Sequence, residues 1–210
     1  LVSVVINGFE GADDEGWTHS PVQGNIDVWQ RGTPTSGPNK AHTGSNVWAT
    51  NLGGNYPDQA DFALYMPATK IGNKTELVFW HWYSIERGWD VATVEIFDNA
   101  QNQWRRLANY DGQSGGWVEE SIVIPANFAG EVRIRFRFDT DINVNFPGWY
   151  IDDVKVLPSS ELFSHNNGYI GLNEREIELN TTLENTGNTL VSFDLTARVY
   201  FQSNQSEVYN

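Results

Sequence analysis

Several segments of the chain carry residue types that could do chemistry. Gly112-Gln113-Ser114-Gly115-Gly116 satisfies the G-x-S-x-G pattern, in which a strained turn presents a nucleophilic serine. Such a serine needs a base. The four histidines, His19, His42, His81 and His165, include no pair at helical spacing. An esterase elbow requires a strand, a sharp turn and a helix, and the surrounding residues read as strands instead. A trypsin-like order would require His42 as base and Asp90 as its orienter, without the pattern that should surround them. The segment is therefore read as a Gly-rich hairpin connection. Paired carboxyls could hydrolyse a glycosidic bond if held about 5 to 9.5 Å apart across a cleft. Glu86 with Asp90 and Glu119 with Glu120 are the candidates; strand alternation sends Glu119 and Glu120 to opposite faces. Asn51-Leu52-Gly53-Gly54-Asn55-Tyr56-Pro57-Asp58 is rich in oxygen donors. It could hold an ion through Asn51, or form a tight turn needing positive φ at its glycines. Finally, Trp29, Trp48, Tyr56, Trp82, Trp89 and Trp149 exceed what a small core must contain. Flat aromatic faces can stack on sugar rings. Trp29 and Trp89, beside Arg31, Arg87 and Gly88, are the best exposed candidates, with Trp48 and Tyr56 as further ligand contacts. At least four of the nine tryptophans are expected to be buried.

The composition narrows these possibilities. Among 210 residues, 27 are acidic and 13 basic, a net charge of −14. Nucleic-acid binding needs a basic surface to neutralise phosphate, and an anionic membrane repels this balance. No apolar run approaches the roughly 18 residues of a membrane-spanning helix. Cysteine is absent, which removes disulfide scaffolds and thiolate metal sites. An acidic, Asn-rich, Trp-rich chain that starts at Leu1 reads as a piece of a longer secreted or surface-held bacterial protein.

These residues must be positioned by strands, because helical periodicity is nearly missing. Val132, Ile134, Phe136 and Phe138 alternate with Arg133, Arg135 and Arg137, predicting one buried and one solvated face. The arginines should lie opposite acidic neighbours such as Glu95 and Glu119. Val94–Ile96 and Trp104–Leu107 read as a hairpin turning at Asp98-Asn99, whose types suit positive φ. Leu77 to Tyr83 is nearly continuous apolar, as expected of a central strand, and Trp149 to Val156 closes the series. The breaker-rich segment from Gly32 to Ala41 is a long surface loop. The pattern predicts an all-β, two-sheet antiparallel jelly-roll sandwich over residues 1–157. A linker follows at 158–160, and then an incomplete immunoglobulin-like β unit at 161–210. In that unit Ile177 to Leu183 and Phe193 to Phe201 read as strands about a turn at Asn185-Thr186-Gly187-Asn188.

Three blocks add a family resemblance. They are Trp29 to Pro34 with Ala41 to Leu52; Phe79 to Asp90 with Val94-Glu95-Ile96; and Ser114 to Trp117, Val132 to Asp141 and Gly148 to Val154. Together they resemble the MAM-like jelly-roll module found C-terminally in immune inhibitor A-type secreted metallopeptidases and on other bacterial surface proteins. The resemblance covers about residues 5 to 157. It implies a non-catalytic accessory domain beside a peptidase catalytic domain, with calcium bound structurally. The peptidase's own His-Glu-x-x-His motif does not occur in the chain. Glu86 and Asp90 belong to the family pattern, where a structural or ion-binding role is implied.

Related jelly rolls place an early Phe-Glu beside a late Ile-Asp-Asp/Asn-Val. Phe9-Glu10 and Ile151-Asp152-Asp153-Val154 match that pair. Glu10 and Asp152 are then the expected calcium ligands, with Asp153 contributing less and loop carbonyls near Ser45 completing the shell. The alternative is that the two aspartates cap a strand end by hydrogen bonds. Asp13-Asp14-Glu15 reads as a solvated acidic turn. The expected function is protein recognition, adhesion or structural support by a calcium-stabilised accessory domain. The alternative is a carbohydrate-binding module with a polysaccharide ligand. No enzyme activity, nucleic acid or membrane insertion is expected.

Overall fold

The computed structural model describes residues 5–73 and 75–158. The segment 161–210, with its expected immunoglobulin-like strands, lies outside the described residues. Fourteen strands are present in the described part. They are β1 (Val5–Asn7), β2 (Thr18–Gln23), β3 (Gln30–Gly32), β4 (Val47–Ala49), β5 (Asp61–Tyr65), β6 (Thr69–Ile71) and β7 (Thr75–Ile85), followed by β8 (Val91–Asp98), β9 (Gln103–Tyr110), β10 (Gly112–Gln113), β11 (Val118–Ile124), β12 (Gly130–Val132), β13 (Ile134–Asp139) and β14 (Gly148–Pro158). One turn of 3-10 helix spans Ala126–Phe128. Among the described residues no helix is long and apolar enough to cross a membrane.

The strands form a two-sheet antiparallel jelly-roll sandwich. One sheet has seven strands, with β7 and β14 central, β1 paired to β14 and β11 to β7. The other runs β2-β5-β13-β8-β9, and β12 pairs with β6 in a small two-stranded piece. The period-two reading of β13 explains its role. Ile134, Phe136 and Phe138 face inward and are almost wholly buried, while Arg135 and Arg137 stand opposite Glu95 and Thr93 of β8 on the outer face. Burial of β13's inner row against Phe79, Trp149 and Tyr56 produces an aromatic core, with Phe136 to Trp149 at 5.5 Å and Tyr56 to Phe138 at 4.9 Å between ring centroids. Offset and edge contacts of this kind add to area burial.

Four local expectations change. The β8–β9 hairpin forms as read, but its positive φ falls at Asn102, while Asp98 Oδ1 accepts the amides of Ala100 and Gln101. The outer face is not uniformly wet: Arg135 is buried with Glu95, because cross-strand ion pairing and the Trp104 ring cover it. Glu119 is not its neighbour; it lies on β11 of the other sheet, opposite Trp80. The Gly-rich segment at 112–116 is likewise no hairpin connection. It carries the chain from β9 in the five-stranded sheet to β10 and β11, which both pair with β7.

Candidate functional site

Two polar junctions and one loop position most of the chemistry-bearing residues. The first junction joins the two ends of the sandwich domain. β1 pairs with β14, so Glu10, just after β1, and the Asp152-Asp153 pair of β14 come to the same loop, residues 42–46. Glu10 Oε1 accepts the backbone N–H groups of Ser45 and Asn46 at 2.9 and 2.7 Å. Asp152 Oδ2 accepts those of His42 and Thr43, and Oδ1 accepts the amide of Asp153. Asp153 Oδ2 meets His42 Nδ1 at 2.6 Å, and Thr43 Oγ1 donates to Oδ1 at 2.7 Å. Strand alternation alone would send the two aspartates to opposite faces. Here a register shift between Asp152 and Lys155, with Asp153 at φ 49°, turns both carboxyls onto the same loop.

Thus Glu10, Asp152, Asp153 and Ser45 are brought together as read. Ser45 offers its backbone N–H to Glu10. Asn51 lies elsewhere. Its side chain accepts the Gly53 amide and donates to the Asn55 carbonyl, closing its own loop. That loop needs no positive φ at Gly53 or Gly54, because the Asn51 side chain supplies the turn's hydrogen bonds. Asp152 is fully buried, and its contacts are three backbone N–H groups. Burial pushes its carboxyl up to about 7. The carboxyls at this junction are held by backbone amides, the Thr43 hydroxyl and the His42 ring.

Gly44 is the tightest point of the junction. It sits at φ 58°, and a Cβ there would lie 2.5 Å from the Glu10 carboxyl carbon. Gly88 has a similar φ of 80° but open space around it. Gly44→Ala is therefore expected to destabilise by about 2–3 kcal/mol, and Gly88→Ala by about 1 kcal/mol, which is the φ strain alone. Urea unfolding of the two variants measures the difference.

The second junction was only partly visible in the sequence. One carboxylate oxygen each from Glu86, Asp90 and Asp141 lie within 4.8 Å of one another. Asp90, on the turn before β8, is buried; its Oδ2 accepts from Tyr56 Oη at 2.6 Å and its Oδ1 accepts the Asp141 amide at 2.7 Å. Burial raises the Asp90 carboxyl above the usual carboxylate range. Tyr56 Oη also accepts the Glu86 amide. Glu86 and Asp90 are a carboxyl pair that the sequence itself offers. The sequence does not mark Asp141 as their partner, although it ends the middle segment of the third resemblance block, because the loop from β13 to β14 reaches this place only in three dimensions.

The aromatics divide sharply. Trp17, Trp29, Trp48 and Trp149 are buried, as the expectation of at least four requires. Trp29 is nonetheless misread as exposed: it is 2% accessible, packed on Trp149 and Phe62. Trp48 and Tyr56 are also buried, at 1% each, and offer no face to a ligand. The reason is common to all three: each lies between the sheets or under a loop, and core burial is the largest gain an aromatic can make. Trp89 is 70% exposed, as read. Half-exposed rings that the sequence did not single out lie on the outer sheet faces. Trp80 stacks on His42 at 3.8 Å, and Trp104 lies 6.0 Å from Tyr65 with the Arg135 guanidinium 4.2 Å from its ring.

The long loop from Gly32 folds over the outer face of the seven-stranded sheet. Ser36 Oγ lies 2.7 Å from Tyr150 Oη, and Trp117 Nε1 donates to the Lys40 carbonyl. Ser114 donates to the Tyr83 carbonyl and accepts its amide, so it pins the sheet edge. His81 is buried among Phe79, Tyr110 and Trp149, and accepts the Trp149 indole N–H. The acidic turn is tied down by Arg31, which bonds Asp14 and the carbonyls of Phe9 and Gly11.

No family model matches the chain. Over 147 residues it is 33% identical to bacillopeptidase F of Bacillus subtilis (strain 168), a match that spans 69% of this chain and 10% of that protein. The chain therefore corresponds to about a tenth of the length of this curated relative. Two solved structures share the architecture, both from Lys-gingipain of Porphyromonas gingivalis W83. The K1 cleaved adhesin domain superposes with a TM-score of 0.51 at 18% identity, covering 75% of this chain and 99% of that one. The K3 cleaved adhesin domain gives 0.52 at 16% identity, covering 73% and 97%. The described residues thus form a β-sandwich with the fold of these adhesin domains, in a chain similar to one segment of a peptidase.

Proposed function

We propose that this chain is a non-catalytic, calcium-stabilised accessory domain of a secreted or surface-held bacterial protein. It resembles MAM-like modules, is joined to a peptidase catalytic domain, and serves protein recognition, adhesion or structural support. The observation that carries this reading is the clasp of Glu10, Asp152 and Asp153 on loop 42–46, which spends its carboxylates on holding the two ends of the domain together. Similarity to a peptidase segment and the fold of adhesin domains support the accessory role. The engagement of Ser114 and His81 in purely structural contacts supports a non-catalytic one.

The clasp fits calcium by its chemistry. Its side-chain donors are hard oxygens, and Asp152 is a fully buried carboxylate with no cationic side chain in contact among the described residues. Glu10, Asp152 and Asp153 would hold the ion, which would supply charge compensation and no reaction step. Calcium is expected to raise the melting temperature and a chelator to lower it, by linkage. Glu10→Gln should remove that increment. Melting that calcium does not move would remove calcium from this reading.

One surface favours a second reading as a carbohydrate-binding module. Tyr65, Trp104 and Arg135 stand together on the outer face of the five-stranded sheet, where a sugar ring could stack. Affinity electrophoresis through soluble polysaccharides separates the two readings. Retardation lost in Trp104→Ala would establish sugar binding, and mobility unchanged in every gel would leave protein recognition or support.

A further inference from the structure

The outer face of the five-stranded sheet carries a charge pattern as well as aromatic rings. β13 sends Arg135 and Arg137 to this face, and Arg133 immediately precedes the strand. The acids there are already engaged: Glu95 by Arg135, and Asp61 and Asp139 by Arg137. Arg106 of β9 stands opposite Glu95, two residues from Trp104. Arg133 and Arg106 are exposed, and among the described residues neither forms an ion pair or donates a side-chain hydrogen bond. Arg133 is nonetheless fixed in place. Its guanidinium carbon lies over the Phe97 ring, 3.8 Å from the centroid, and 6.0 Å from that of Trp104. The Phe97 amide also donates to the Arg133 carbonyl at 3.0 Å. A guanidinium laid over a ring keeps its N–H donors in its own plane, open to an acceptor beside the ring. In a chain of net charge −14, two cations without acidic partners beside half-exposed rings form a local site for an anion.

The rings say what the anion is attached to. Between centroids, Trp104 lies 6.0 Å from Tyr65 and 5.2 Å from Phe97, so residues of β5, β8 and β9 form one aromatic strip. Sugar rings stack on such strips by their apolar C–H faces. Arg135, 4.2 Å from the Trp104 ring, is buried and bound to Glu95, so it supports the strip and does not meet a ligand. Arg133 can. A small anion would use the cation and leave the rings idle; a neutral sugar would do the reverse. A sugar acid uses both. Its carboxylate is bonded directly to a ring carbon and lies beside the stacked face, where a guanidinium fork can take both oxygens. We propose that this face binds a polysaccharide of uronic acids, with a sugar ring on Trp104 and Tyr65 and its carboxylate on Arg133. Arg106 attracts a further carboxylate along the same polysaccharide. The proposal rests on the carbohydrate reading of this face and adds the class of sugar.

The test is affinity electrophoresis through polygalacturonate, alginate and hyaluronate, each beside its own carboxyl-reduced form. Dextran sulfate serves as a polyanion without ring carboxylates. The wild type should be retarded by at least one of the acids, and neither by the reduced form of that polymer nor by dextran sulfate. Arg133→Gln should weaken the affinity about tenfold or more, because a paired, charge-assisted hydrogen bond is lost. Arg106→Gln should weaken it less. Arg133 is exposed, so the substitution spares the core, and an unchanged urea midpoint verifies that the variant is folded. Equal retardation by the reduced polymer or by dextran sulfate overturns the proposal, as does Arg133→Gln binding like the wild type. Mobility unchanged in all the acids overturns it too, and gels of neutral galactan and xylan then separate two failures. Retardation there that Trp104→Ala abolishes leaves the carbohydrate reading standing with a neutral ligand. No retardation there removes both.

Discussion

Arg135→Met is expected to destabilise the domain by about 3–5 kcal/mol, because it leaves a carboxylate buried without its partner. Arg135 Nε and Nη2 both lie 2.6 Å from Glu95 Oε2, and the two side chains are only 8% and 9% exposed. After the substitution, the remaining cation near Glu95 among the described residues is Arg137, whose Nη1 lies at 3.8 Å and whose main partner is Asp61. The packing of the guanidinium on Trp104 is lost as well. Glu95→Gln/Arg135→Met removes the stranded charge and should recover more than half of the loss. Urea unfolding of the two variants measures both steps. A single variant as stable as the wild type would mean that water reaches Glu95 freely. The pair has a functional consequence: it holds Trp104 and Tyr65 on the outer face where the second reading places a ligand.

The acid side of the stability profile should carry a contribution from His81. Burial lowers its pKa to about 4, against 6.5 in an unfolded chain. The folded ring stays neutral where the unfolded one has already taken up a proton. Between those two values the unfolded state binds more protons, so this group makes stability fall as pH falls from 6.5 through 4. The full contribution is about 3 kcal/mol below pH 4, and none is lost above 6.5. His81→Gln keeps an acceptor for the Trp149 indole and cannot be protonated. The wild type minus His81→Gln difference in unfolding free energy should therefore change by about 3 kcal/mol across this window. A difference independent of pH would show that His81 titrates normally and is open to water.

How much of this was legible depended on whether the determinant was local. The alternation Val132, Ile134, Phe136, Phe138 reads as a two-faced strand because side chains flip at every residue, and β13 forms accordingly. The apolar run Leu77 to Tyr83 reads as a central strand because both of its edges and its inner face are covered, as β7 is by β14, β10 and β11. The meeting of Glu10 with Asp152 was legible through the resemblance and through the rule that first and last strands of a jelly roll are neighbours. The manner of meeting was not. The bulge after Asp152 and the positive φ of Asp153 set both carboxyls on one loop, and neither leaves a mark in the residue types.

The sequence by itself determined the strands, the all-β class and the acidic, cysteine-free surface chemistry, because these follow from short-range periodicity and composition. Tertiary structure alone decided the rest. It buried Trp29, Trp48 and Tyr56 and left Trp89 outside, although all four look equally suited to a ligand as residues. It carried the Gly-rich segment across between sheets and brought Asp141 to Asp90, 51 positions away in the chain. The physical reason is the same in each case. Burial and charge depend on what packs against a side chain from distant parts of the chain, and strand periodicity specifies which face a residue takes but not what covers that face.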